Sequence, residues 1–67
     1  MNETEIEVVN TMSLYGGSFV KALAECFRRA DRINFVKLRD AFPEYWIEYQ
    51  DMVIAKLESD IETLQKK

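Results

Sequence analysis

The segment that follows Pro43 constrains the fold of this 67-residue chain more than any other, because it contains no helix breaker. Its apolar side chains recur at alternating intervals of three and four residues, with Gln50 filling one of the positions. This heptad pattern predicts one long helix over residues 43–66 with an apolar seam along it. The seam residues are Ile47, Ile54, Leu57, Ile61 and Leu64.

An apolar seam of this kind requires a partner helix, and the sequence leaves two candidates open. One is the helix predicted near the start of the same chain, and the other is a second copy of the long helix. The long helix would extend about 36 Å, whereas a first helix of about a dozen residues spans about 18 Å. We therefore expect a homodimer, with packing on the first helix as the alternative.

The whole chain is predicted to be one all-α domain, residues 1–67, folded as a compact bundle of about four helices. The composition is that of a globular protein, with two glycines and one proline. The predicted helices cover about 3–14, about 18–30, a short stretch of about 34–41, and about 43–66.

Local signals at the helix ends support these boundaries. Thr4 and Glu7 have the spacing of a capping box, although Asn2 can also cap helix 1. The pair Gly16-Gly17 predicts a left-handed helix end, after which Ser18 is expected to cap helix 2. Further along, Asn34 is expected to cap helix 3 with Ile33 and Leu38 forming a hydrophobic staple, and Pro43 to begin helix 4.

The residue types present argue against catalysis and metal binding. The chain has no histidine, and its single cysteine, Cys26, has no partner for an intramolecular disulfide. Cys26 lies on the predicted apolar face of helix 2, where we expect it to be buried. Four short helices without a histidine offer no positioned base, so we predict a non-enzymatic protein with no catalytic residue, metal or cofactor.

The start of the chain lacks the basic and apolar regions of a signal peptide, and no apolar run approaches the ~20 residues that span a bilayer. We therefore expect a cytoplasmic protein without a membrane partner. Charge is unevenly distributed: residues 1–15 carry three acidic side chains, residues 16–42 six basic against three acidic, and residues 43–67 six acidic against three basic.

The basic middle of the chain is the predicted binding surface for a protein partner. Arginines there lie close in sequence to a cluster of aromatic residues, and exposed aromatic residues beside arginines are typical interface anchors. The candidate partner-binding residues are Arg28, Arg29, Arg32, Tyr45 and Trp46. The alternative is that the aromatic rings form the core and the arginines pair with the acidic helices 1 and 4.

A nucleic-acid interpretation of the same region also stays open. Helix 2, a short turn and helix 3 resemble a helix-turn-helix in outline, with Lys37 and Arg39 as the candidate phosphate contacts. A pI near 4.8 opposes the long-range attraction to DNA that such a function uses.

Two short segments of the chain resemble known sequences. The stretch from Leu14 to Asp31 contains YGGSF, and the stretch from Phe35 to Trp46 contains AFPEYW. Both are similar to small open reading frames of phages and prophages, a group without an established activity. The resemblance implies a viral or mobile-element origin, in which small acidic helical proteins often bind host or phage proteins, here in the host cytoplasm.

The sequence therefore predicts a small non-enzymatic helical protein-interaction module that binds a host or phage protein and forms a homodimer. A helix-turn-helix DNA-binding protein and a self-assembling structural component are the two alternatives.

Overall fold

The computed structural model describes the backbone of residues 1–65 and the side chains of residues 1–60. This part of the chain contains four α-helices and no strand. They are α1 (Glu3–Tyr15), α2 (Ser18–Arg29), α3 (Arg32–Ala41) and α4 (Pro43–Gln65). The predicted all-α bundle of about four helices is confirmed, and the largest difference is at the start of α3.

The cap of α1 is Asn2, and the predicted Thr4–Glu7 capping box is wrong. The Glu5 backbone N–H donates to Asn2 Oδ1 at 2.8 Å, and the Asn2 backbone N–H donates to Glu5 Oε1 at 3.0 Å. Asparagine and threonine are both good caps, so the helix starts at the earlier one and Thr4 lies inside it. The capping box therefore places the Glu5 side chain at the start of the helix.

The Gly16-Gly17 turn is extended, so the predicted left-handed helix end is wrong. Gly16 and Gly17 have φ angles of −75° and −72°, and Gly17 caps α2 without a side-chain hydrogen bond, since Ser18 is already helical. Position 16 requires a glycine because α1 and α2 approach closely there. A Cβ atom at this position would lie 2.5 Å from both Met12 O and Val20 Cγ1. Gly16 thus lets α1 and α2 pack at their shared end.

The third helix begins at Arg32 rather than Asn34, because Asp31 caps it. The Asn34 backbone N–H donates to Asp31 Oδ1 at 2.8 Å, and a carboxylate at this end also interacts favourably with the helix dipole. The predicted Asn34 cap and its staple are therefore wrong, and Ile33 is 69% exposed.

The core takes side chains from all four helices. Its buried residues are Val8, Val9 and Met12 of α1, Val20, Leu23, Ala24 and Phe27 of α2, Phe35 of α3, and Trp46, Tyr49 and Val53 of α4. Three rings fix the helices to each other, since Phe27, Phe35 and Trp46 lie 5.0–5.3 Å apart between centroids. The short α3 is held chiefly by one of these rings.

The break between α3 and α4 falls at Phe42, as the proline predicts. The Phe42 backbone N–H donates to Leu38 O at 3.0 Å and closes α3, and α4 begins at Pro43. The Phe42 ring packs edge-on against Phe19 with a centroid distance of 5.7 Å. From this point α4 packs against α1 and α3 and extends along a molecule that measures 43 × 24 × 17 Å.

Candidate functional site

The predicted seam of α4 does not face the core of its own chain. Ile47 and Ile54 are 54% and 45% exposed, whereas Trp46, Tyr49 and Val53 are buried. At 100° per residue, the two isoleucines lie about 80–100° around the helix from Trp46. The alternative in which the predicted seam packs on α1 is therefore wrong for Ile47 and Ile54. The aromatic stripe beside them fills the core because its larger side chains bury more area.

The other predicted seam positions have different outcomes. Leu57 is 56% exposed and borders a groove on the α1 side of the helix, about 60–80° around the helix from the two isoleucines. Ile61 and Leu64 lie outside the residues whose side chains the structure describes. We call the remaining exposed pair, Ile47 and Ile54, the isoleucine seam.

Among the side chains of α4 that the structure describes, the core ends at Val53. Val53 is the last buried residue in the described part of the helix, and every side chain from Ile54 to Asp60 is exposed. The α4 backbone nevertheless continues as a helix to Gln65. Between Ile54 and Asp60, α4 therefore presents its apolar residues to solvent.

A second apolar surface lies between α1 and α4. An open groove of about 640 Å³ separates the two helices, and we call it the α1–α4 groove. Four large exposed side chains line it: Leu14, Tyr15, Met52 and Leu57. Sequence reasoning missed this surface, although the apolar pair Leu14-Tyr15 directly before two glycines was a usable signal.

Two of the predicted partner-binding arginines form hydrogen bonds on the protein's own surface. Arg28 Nη2 donates to Asn10 Oδ1 at 3.2 Å, and Arg29 Nε donates to Glu25 Oε1 at 2.9 Å. The hydrogen bond and charge of Arg29 hold the pKa of the Glu25 carboxyl below its usual value. Exposed pairs of this kind contribute little to stability, and both arginines remain exposed to solvent.

Arg32, the third arginine, connects α3 to α1. Its Nη1 donates to both carboxylate oxygens of Glu5 at 2.8 Å, and its guanidinium carbon lies 5.2 Å from the centroid of the Phe35 ring. Burial alone would raise the pKa of the Glu5 carboxyl, but the Asn2 backbone N–H and Arg32 together hold that pKa below its ordinary value. The expectation that arginines pair with helix 1 is met by this contact.

The two aromatic residues assigned to the partner surface have different environments. Trp46 is 7% exposed and contacts Phe27 and Phe35, so its assignment as an accessible anchor is wrong. Tyr45 is half-buried, with its ring 5.5 Å from that of Phe19. One turn further along α4, burial raises the pKa of the Tyr49 phenol, and the nearby charge of Glu48 adds to this effect. Tyr45, Trp46 and Tyr49 thus contribute mainly to the core and its border.

The candidate phosphate contacts lie on α3. Lys37 is exposed and Arg39 half-buried, and neither forms an ion pair with another described residue. Only Ala30 and Asp31 separate α2 from α3. The assignment of Lys37 and Arg39 to nucleic-acid contact stays a prediction.

Cys26 is exposed, so its predicted place in the core is wrong. The buried face of α2 consists of Val20, Leu23, Ala24 and Phe27 instead. Among the described residues, no group of three His, Cys, Asp or Glu side chains could hold a metal ion. The described helices also include none that is long and apolar enough to cross a membrane.

Comparisons of this chain with protein-family models, curated proteins and solved structures return no match. The phage resemblance of the YGGSF and AFPEYW phrases therefore stays a prediction.

Proposed function

We propose that the chain is a small, non-enzymatic helical protein-interaction module that works as a homodimer through α4. The observation that carries this proposal is the exposure of Ile47 and Ile54 at heptad spacing on a helix whose described side chains after Val53 are all exposed. Large apolar side chains grouped on one face of a helix are typical of a surface that a second helix covers.

The energetics of a chain of this size favour such a contact. A domain of about 60 residues buries only about 60% of its unfolded surface and is marginally stable alone. Full burial of an isoleucine side chain contributes about 1.5–3 kcal/mol. A two-fold contact covers Ile47 and Ile54 of both copies, and it extends the core along the distal half of α4.

The charges beside the isoleucine seam limit the strength of this dimer. Asp51 and Glu58 follow the two isoleucines at the flanking position of the heptad, and both are exposed. Two copies joined along the isoleucine seam place four of these carboxylates along the edges of one contact, and like charges repel. Dimer formation is therefore expected to strengthen with salt, which screens the repulsion.

The test is the solution mass of the wild-type chain over a concentration series, measured by light scattering with multi-angle detection. We expect a monomer–dimer equilibrium that shifts toward dimer between about 0.01 M and 1 M salt, where the Debye length falls from about 30 Å to about 3 Å. Ile54→Lys should abolish the dimer, and Ile33→Lys should retain it because Ile33 is an exposed isoleucine on α3. A wild-type monomer at every concentration would contradict the proposal.

The two alternatives have weaker support. Growth of the mass beyond a dimer would favour a self-assembling structural component. The helix-turn-helix alternative depends on Lys37 and Arg39, since Arg28, Arg29 and Arg32 already have partners within the chain. A gel shift at low salt tests it, because attraction to phosphates is strongest there. A phage or host protein as the further partner rests on the resemblance alone.

A further inference from the structure

We propose that the α1–α4 groove is a docking site for a basic amphipathic helix of another protein. Most of the groove lies on the flank of α4 away from the isoleucine seam, since Met52 is about 140–160° around the helix from Ile47 and Ile54, whereas Leu57 is about 60–80° from them. A second copy bound at the isoleucine seam leaves Met52 and the α1 side of the groove open, and Leu57 lies at the boundary of that contact. This inference therefore goes beyond the proposed homodimer and can fail or succeed independently of it.

The apolar part of the groove is large for a chain of this size. Leu14 and Tyr15 of α1 are 72% and 70% exposed, and Leu57 and Met52 of α4 are 56% and 39% exposed. All four border the same 640 Å³ groove, so their apolar surfaces are grouped. Leucine and methionine side chains adapt to the shape of an incoming apolar face, as they do in helix-binding grooves.

The charged groups of the groove determine which helix fits. Glu3, Glu7 and Asp60 border it with one opposing cation, Lys56, which gives the lining a formal charge of −2. In the part of the chain with described side chains, none of these four residues forms an ion pair. The carboxylates are exposed and unneutralised, so a helix that carries lysine or arginine beside its apolar face complements them.

The dimensions agree with a short helical segment. The α4 side of the groove runs from Met52 to Asp60, about 12 Å, and the α1 side runs from Glu3 to Tyr15, about 18 Å. This length matches about 8–12 residues of a helix. Such a segment presents apolar anchors at positions i, i+3 or i+4, and i+7.

A second copy of this chain is a poor occupant of the groove. Its helix α1 starts with Glu3, Glu5 and Glu7, and α4 carries six acidic residues against Lys56, so both would repel the lining. The basic helices α2 and α3 each expose one large apolar side chain, Phe19 and Ile33, instead of a row of anchors. The groove therefore fits a foreign helix better than its own copy.

The probe is a designed helical peptide of about 14 residues, roughly 21 Å long, with leucines at i, i+3, i+4 and i+7 and lysines on the flanks. Its control is the same peptide with glutamates replacing the lysines, at matched helicity by circular dichroism. Titration calorimetry with the full chain should show binding of the basic peptide at least about tenfold tighter than the acidic one. Backbone amide shifts should change in α1 and the distal half of α4.

Paired variants keep the test specific to the groove. Leu57→Ser and the double variant Glu3→Gln/Glu7→Gln should each weaken the basic peptide about tenfold or more. Ile33→Ser and Glu44→Gln/Glu48→Gln make the same chemical changes elsewhere and should leave affinity unchanged. Ile54→Lys, which removes the proposed dimer, should also retain peptide binding, and this separates the two proposals.

Added salt should weaken the peptide complex, because screening reduces the attraction between its lysines and the carboxylates. Absence of binding, equal binding of both peptides, or shifts confined to α2 and α3 would overturn the proposal. So would a chain whose self-association is lost in Leu14→Ser, since Leu14 lies on α1, away from the isoleucine seam, and a second copy would then occupy the groove.

Discussion

Glu5 and Arg32 join the start of α1 to the start of α3 through one carboxylate. Arg32 Nη1 lies 2.8 Å from both oxygens of Glu5, and the same carboxylate accepts the Asn2 backbone N–H of the α1 capping box. The Glu5 side chain is 8% exposed and that of Arg32 is 61% exposed. One nearly buried side chain therefore both caps a helix and fixes the position of another.

Replacement of Glu5 by glutamine is expected to destabilise the fold by about 2 kcal/mol, since it weakens a helix cap and removes a charge-assisted pair. Urea unfolding followed by circular dichroism measures this loss. Glu25→Gln is the control, because Glu25 also pairs with an arginine but lies on the exposed surface. An equal loss of unfolding free energy in both variants would show that the Glu5–Arg32 pair contributes no more than an exposed surface pair.

The pH dependence of the Glu5 contribution has a defined sign. The folded chain holds the pKa of Glu5 below its ordinary value of 4.5, so its contribution is present above pH 4.5. The contribution is lost as the pH falls through the lowered folded value. The stability difference between wild type and Glu5→Gln should accordingly shrink on acidification below pH 4.5. If the stability difference between wild type and Glu5→Gln stays constant down to low pH, the Glu5–Arg32 ion pair is not its source.

The two adjacent glycines are expected to respond oppositely to an added side chain. Gly16→Ala places a Cβ atom 2.5 Å from Met12 O and Val20 Cγ1, so we expect a loss of about 1–3 kcal/mol from overpacking. Nothing lies within 4 Å of a Cβ atom at Gly17, whose φ of −72° suits any residue. Gly17→Ser should stabilise the chain by about 0.5 kcal/mol, because it restricts the unfolded state and adds a cap.

Thermal unfolding of the two glycine variants beside the wild type measures this contrast. The melting temperature should fall for Gly16→Ala and rise slightly for Gly17→Ser. A tolerated alanine at position 16 would mean that α1 and α2 separate more easily at their shared end than their close packing indicates.

Cys26 should react with a maleimide in the folded protein, because its side chain is exposed on α2. The rate is expected to be similar with and without denaturant, as no unfolding step is needed to reach the thiol. Mass spectrometry of the chain at successive labelling times measures this rate. Strong protection in the native state, released by urea, would restore the sequence-based prediction of a core cysteine.

The sequence by itself determined the number of helices and the break at Pro43. These features depend on local chemistry: glycine and proline interrupt helices, and apolar periodicity indicates which segments are amphipathic. Helix caps were harder to predict, because Asn2 and Thr4, or Asp31 and Asn34, are nearly equal in intrinsic preference, and in both cases the helix starts after the earlier residue.

Tertiary structure alone decided which surfaces stay free. The long helix carries two neighbouring apolar stripes, and the sequence does not say whether Ile47 and Ile54 or Trp46, Tyr49 and Val53 turn inward. The aromatic stripe meets Phe27 and Phe35 from two other helices, and that contact exists only once the helices are packed. The α1–α4 groove has the same origin, since residues far apart in sequence form it. Local preference sets where helices begin and end, whereas burial depends on the shape that all the helices build together.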